Sequence, residues 1–186
     1  ITGRTPARVQ EPVSTRAAVA AVLREGEQGL ELLFIRRAEQ ERDPWSGHVS
    51  FPGGRFEPGD DDLVSTAIRG TTEETALDLR RDGELVGALD EIQALARARR
   101  VALSLAPYVF RLLRPAALGP NHEVVSLHCL SLEALLAPAL RSTLEYVHEG
   151  HALEMPCLRI DVLVIWGLTH RMFENLRELL EATEER

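Results

Sequence analysis

The chain has 186 residues, enough for one domain with a sizeable core and short for two. Hydrophobic residues make up 45% and charged residues 27%, and 29 Asp+Glu against 21 Lys+Arg leave a formal net charge of -8. That balance argues against non-specific nucleic-acid binding, which draws on many Lys and Arg contacts to phosphate, but a local Arg cluster or a metal can still hold a small anion.

Residues 1–14 contain Pro6 and Pro12 and no apolar period, and they read as an arm leading into a single domain over 15–186. The opening Ile1-Thr2-Gly3-Arg4 has no secretory pattern and no initiator Met, so a trimmed terminus and a cytoplasmic protein are expected. No run of about 18 apolar residues suggests a membrane span. From Thr15, the run Ala17 to Leu23 fits a buried strand, with helix as the alternative because Ala is a good helix former. A turn at Gly26 to Gly29 and a second strand, Leu30 to Ile35, complete a hairpin. Arg36 to Gly47 is charged, contains Pro44 and reads as a loop, and His48 to Phe51 as a short strand ending at Pro52.

Arg55 to Asp62 is turn-rich, and Asp60, Asp61 and Asp62 are N-cap candidates for a helix from Leu63 to about Leu77. Strands are expected at 84–92, 101–113 and 124–130, the first two separated by an Arg-rich segment at 97–100. Ser131 caps a short helix, Leu132 to Leu136, which Pro138 ends. Shorter strands follow over 142–166. A terminal amphipathic helix, about 169–183, carries Met172, Leu176, Leu179 and Leu180 on one stripe. Mixed strands with two or three helices indicate a three-layer or α+β arrangement around a mixed sheet. The two cysteines, Cys129 and Cys157, form no CxxC pair and read as ordinary thiols in a reducing compartment.

The chemistry concentrates in Gly53-Gly54-Arg55-Phe56-Glu57-Pro58-Gly59-Asp60 and Arg69-Gly70-Thr71-Thr72-Glu73-Glu74. Helical spacing puts positions 70, 73 and 74 on one surface, with Arg69 reaching Glu73 at i,i+4. Two adjacent carboxylates beside a loop that exposes carbonyls suit a hard cation such as Mg²⁺ or Mn²⁺, which binds oxygen ligands and bridges substrate phosphates. A pair of Glu on a helix is by itself more often a solvated face. The fixed distance to Gly53-Gly54 and the presence of Arg69 favour a site.

Together these residues resemble the Nudix box, in which Gly, an acidic residue, Arg-Glu and Glu-Glu recur at set intervals. Five residues separate Gly54 from Asp60 and eight separate Asp60 from Arg69. The Asp, the extra residue and Ala76 in place of Gly resemble the coenzyme A pyrophosphatase branch. So do Leu33 to Ala38 with Arg42 and Gly47 to Gly54, Ala106 to Val109, Asn121 to Val124, and Ile165 to Thr169. The resemblance implies an α/β/α sandwich around a mixed sheet and a metal-dependent diphosphohydrolase acting on a small nucleotide, coenzyme A or a derivative above all. Nucleoside triphosphates, dinucleotides and nucleotide sugars are the alternatives within that class.

It also implies roles. Glu73 and Glu74, with the Gly54 carbonyl, would hold Mg²⁺ or Mn²⁺, and Arg69 would orient the carboxylates. Glu123 would be a distal base or ligand. Arg36, Arg37 and Arg42, with Phe51 and Gly53, would meet the substrate. Asp60 either supports the loop or caps the helix, and Glu57 is equally open. His48, His122 and His128 read as packed or solvent-facing, and Trp45 either stacks on a base or covers its loop. Homodimers are common among such relatives, so a dimer is open.

Gly70 breaks the pattern, since the resemblance puts a metal-binding Glu there. Glycine in a helix also costs about 0.5–1 kcal/mol relative to Ala. Either the residue is a changed Glu in an impaired enzyme, or the fold has become a binding module, or Asp60, Glu57 or Glu123 supplies the missing ligand. Impaired or altered metal loading in an intact pocket is the expectation. On it, Gly70→Glu should raise Mg²⁺- or Mn²⁺-dependent hydrolysis.

Overall fold

The computed structural model describes residues 2–10, 13–39, 41, 46–96, 101–148 and 150–184. Strands β1 (Thr15–Gly26) and β2 (Gly29–Arg37) form the expected antiparallel hairpin. β3 (Val49–Ser50) and β8 (Val124–Ser131) both pair with β2, while β4 (Gly53–Arg55) pairs antiparallel with β1. β1 also runs parallel to β7 (Val101–Leu112), which in turn holds β5 (Gly83–Ala88) and β6 (Ile92–Ala96) antiparallel. The result is a mixed sheet with β1 at its centre.

That position explains the alanine-rich β1. Its side chains are buried on both faces, so it reads as a continuous apolar run. Ala18, Ala20 and Val22 pack with Leu63 and Ala67 of helix α1 (Leu63–Thr75) and Leu79 of the short α2 (Leu79–Asp82). Ala17, Val19, Ala21 and Leu23 face the other way, toward Leu132 and Leu135 of α3 (Leu132–Leu136) and Met172, Phe173 and Leu176 of α4 (Gly167–Glu184). A second, three-stranded sheet, β9 (Arg141–His148), β10 (His151–Ile160) and β11 (Leu163–Trp166), adds Leu158, Leu163 and Ile165 to that side. Helices thus cover both faces of a mixed sheet, the sandwich expected.

Several elements differ from the sequence reading. The segment 84–92 is two strands, because β5 and β6 leave β7 on either side of the turn at Leu89–Glu91. The strands over 142–166 are longer than expected at 8 and 10 residues for β9 and β10. β4 and α2 carry too few residues to show a period. The arm is also tied down. The Ala7 and Val9 amides donate to Asp90 and Glu91 at 2.7 and 3.0 Å, the Glu91 amide donates to the Ala7 carbonyl at 2.9 Å, and Arg4 pairs with Asp90 at 2.5 Å. The Arg-rich segment at 97–100 lies outside the described residues. Cys129 and Cys157 are free thiols, and among the described residues no helix is long and apolar enough to cross a membrane.

Candidate active site

Three backbones come unusually close where α1 crosses β4 and β1. A Cβ on Gly53 would overlap the Ala18 carbonyl and stand 2.6 Å from the Val19 Cα. A Cβ on Gly70 would overlap the Gly53 carbonyl and stand 2.7 Å from the Gly54 nitrogen. These neighbours are main chain, which no rotamer change can move aside. Gly70 is therefore where the helix touches the Gly53–Gly54 peptide, and the stack β1–β4–α1 depends on glycine at both levels.

The close crossing delivers the acidic residues. Asp62 caps α1 by accepting the Ser65 amide at 2.7 Å. Glu74, almost fully buried, accepts the Gly53 amide on Oε2 at 2.8 Å, with Arg37 Nη1 3.7 Å from Oε1. Burial pushes the Glu74 carboxyl up to about 7, opposed by the Gly53 hydrogen bond and Arg37 and reinforced by the charges of Glu123 and Glu73. Glu73 is more exposed and accepts from Arg69 Nη1 at 3.0 Å.

Arg69 is the hub of the loop. Its Nε and Nη2 donate to the two oxygens of Asp60 at 2.8 and 3.0 Å, and Nη2 also donates to the Arg55 carbonyl at 2.8 Å. Asp60 further accepts the Thr66 hydroxyl at 2.8 Å and the Glu57 amide at 3.0 Å. These bonds, that to Arg69 first, hold the Asp60 carboxyl well below the usual carboxylate range. Asp60 is thus a fully engaged clamp between loop and helix. Of the three acidic N-cap candidates, Asp62 caps.

A cavity of about 590 Å³ opens beside this cluster. Its polar end carries Arg37, Gly53, Gly54, Arg55, Glu57, Arg69, Glu73, Glu74 and Glu123. Its floor is the sheet itself, since Arg55, Ala17 and Leu105 lie in one register across β4, β1 and β7. His48, Phe51, Trp166 and Met172 complete the wall.

A family model for the NUDIX domain matches residues 14–149. The chain belongs to the NUDIX family. It is 29% identical over 181 residues to the mouse mitochondrial coenzyme A diphosphatase NUDT8, which covers 95% of this chain and 83% of that one. It is 34% identical over 117 residues to an uncharacterized fission yeast protein, C14C4.10c, covering 61% of this chain but only 36% of that protein's length. Among solved structures, a MutT/nudix family protein from Enterococcus faecalis aligns over 96% of this chain and 66% of its own, with a TM-score of 0.59 at 15% identity. The chain is a Nudix hydrolase by family, and its fold is the Nudix sandwich.

Nudix enzymes generally use divalent metal ions, and the chemistry of the donors here suits one. Glu73 and Glu74 offer carboxylate oxygens at the pocket's polar end, and the charge of one raises the proton affinity of the other, a repulsion that a cation relieves. Among the described residues no three His, Cys, Asp or Glu side chains form a ready cage. That is compatible with Mg²⁺, which is usually held by one or two carboxylates with water and phosphate oxygens completing its shell.

The structure brings together Arg69, Glu73, Glu74, Glu123, Arg37, Phe51, Gly53 and Gly54 in one pocket. Arg36 is not among the lining residues. It pairs with Ser126 of β8 and Val49 of β3, and the register of β2 against β8 shifts between Arg36 and Arg37. Arg42 and Trp45 lie outside the described residues. Of the three carboxylates considered as substitutes at position 70, Asp60 is hydrogen-bonded by Arg69, Glu57 also pairs with Arg69 Nη1 at 3.5 Å, and both Glu57 and Glu123 line the pocket. The expectation that Gly70→Glu repairs the site does not survive the close crossing, because the Cβ alone meets the Gly53–Gly54 backbone. The sequence reading also passed over Trp166 as a site residue. Its one signal was position, an aromatic residue closing a strand directly before the helix-opening Gly167.

Proposed function

We propose that this Nudix hydrolase is a Mg²⁺- or Mn²⁺-dependent diphosphohydrolase that cleaves the diphosphate link of coenzyme A or a derivative, giving 4′-phosphopantetheine and adenosine 3′,5′-bisphosphate. The observation that carries the reading is the junction of Glu73, Glu74 and Glu123 with Arg37 and the Gly53–Gly54 peptide at one end of a ligand-sized cavity. Similarity to a coenzyme A diphosphatase over nearly the whole chain supports the choice of substrate.

Glu73 and Glu74, with the Gly54 carbonyl, would hold the metal. A divalent cation bound there would supply Lewis-acid polarisation of the phosphate oxygens and a lower pKa for water. Arg69 sets the Glu73 carboxylate while its other nitrogens fix Asp60 and the Arg55 carbonyl, so the loop and the helix hold one geometry. Arg37 supplies positive charge next to Glu74, where a diphosphate would lie. Glu123 lines the same end of the pocket on the loop before β8 and is the group we assign to accepting a proton from the attacking water.

The test is a product assay with coenzyme A and Mn²⁺, run beside calorimetry. Release of adenosine 3′,5′-bisphosphate that is lost in Glu74→Gln supports the proposal. Binding of coenzyme A without turnover in any divalent metal overturns it in favour of a catalytically weak binding module, the reading that the missing carboxylate at position 70 keeps open.

A further inference from the structure

Trp166 ends β11 and lines the same cavity as Glu73 and Glu74, yet the diphosphate chemistry makes no use of it. Two tilted rings contact its own. The His48 ring lies 4.7 Å away, centroid to centroid and tilted by 55°, and the Tyr146 ring lies 5.1 Å away and tilted by 49°. The backbone is fixed as well. Trp166 pairs with the buried Cys157, Gly167 turns the chain at φ 63°, and the Thr169 hydroxyl donates to the Val49 carbonyl at 3.0 Å, joining the start of α4 to β3. The indole is nevertheless only partly buried. A rigid aromatic side chain on a cavity wall is a surface for a flat ring.

Elsewhere among the described residues the apolar lining offers no second exposed aromatic ring. Phe51 is buried against Phe34, and Leu103 and Leu105 of β7 are aliphatic and border the floor. A diphosphate joined to a base on one side and a chain on the other matches such a division. We propose that Trp166, with His48 beside it in the cavity lining, is the stacking platform for the purine ring of the substrate's nucleotide half. The proposal rests on the diphosphohydrolase reading for its substrate, but its geometry is independent of turnover.

The chain has two tryptophans, so Trp45→Phe leaves Trp166 as the sole indole reporter. In that background, with Mg²⁺, ADP is expected to quench the Trp166 emission, whereas inorganic diphosphate and pantetheine leave it near its starting value. Kinetics provide the second readout. Trp166→Leu should raise the KM for coenzyme A about ten-fold with kcat little changed, and Trp166→Phe should recover most of the loss. Quenching by pantetheine rather than ADP, no response to ADP, or an unchanged KM in a folded Trp166→Leu each overturns the platform. Quenching by ADP without hydrolysis of any diphosphate would sink the catalytic reading and leave the platform standing. Hydrolysis with an unresponsive Trp166 would do the reverse.

Discussion

Position 70 shows how one residue can be misjudged when only its chemistry is considered. As a missing ligand it is a defect, and as a contact it is a requirement. Alanine in an exposed helix interior normally gains about 1 kcal/mol over glycine. Here Gly70→Ala should instead destabilise, because the new methyl meets the Gly53–Gly54 peptide, and Gly70→Glu should cost about 2–3 kcal/mol or more. Thermal melts should show both variants below the parent, and coenzyme A hydrolysis should not rise in Gly70→Glu. A rise in hydrolysis at unchanged melting temperature would restore the view of Gly70 as a lost ligand. Glu74 gives a second prediction at this scale. Its carboxyl is raised to about 7, so the fold prefers the neutral form. The stability this contributes is complete below the ordinary glutamate range and is lost as pH climbs through 7, an effect on the order of 3 kcal/mol. Melts in EDTA between pH 4 and 8 should therefore fall more steeply for the parent than for Glu74→Gln.

At the scale of elements, α1 was legible from end to end except at its stop. The acidic cluster before Leu63 marked the start, where Asp62 caps the helix. The end is set by Ala76, which adopts a left-handed conformation at φ 58° and donates its amide to the Thr72 carbonyl at 2.9 Å. Glycine takes that conformation without the Cβ penalty. Ala76→Gly is expected to stabilise by about 0.5–1 kcal/mol, raising the melting temperature by about 1–4 °C. A lower melting temperature would mean that the Ala76 methyl packs better than its backbone is strained. The strands were legible where alternation or a long apolar run lasted, as in β1, β2 and β8. β4 was not, since Gly53 and Gly54 carry no side chain to pattern, and its pairing with β1 becomes visible only once three backbones are stacked. Likewise, the spacing around Arg69 pointed to Glu73, but its bidentate grip on Asp60 depends on how the loop folds back.

For the whole molecule, the sequence separated the acidic motif from everything that closes the cavity around it. Trp166 and Met172 lie roughly a hundred residues beyond Gly70 and reach the pocket only because β11 and α4 cover one face of the sheet. No local pattern records that distance. The arm is part of the same closure. Asp90 accepts from Arg4 and from the Ala7 amide, and its own amide donates to Asn175 on α4 at 2.9 Å. One short turn therefore ties the chain's beginning to the helix that walls the pocket. Removing residues 1–10 takes away three main-chain hydrogen bonds and the Arg4 pair, a loss of about 2 kcal/mol at ordinary net values, or about 4–8 °C in melting temperature. Because Asn175 and Met172 share α4, the truncated protein should also bind coenzyme A more weakly than the parent at temperatures where both are folded. Calorimetry at 15 °C checks this, and equal affinity would confine the arm to stability and detach it from the pocket.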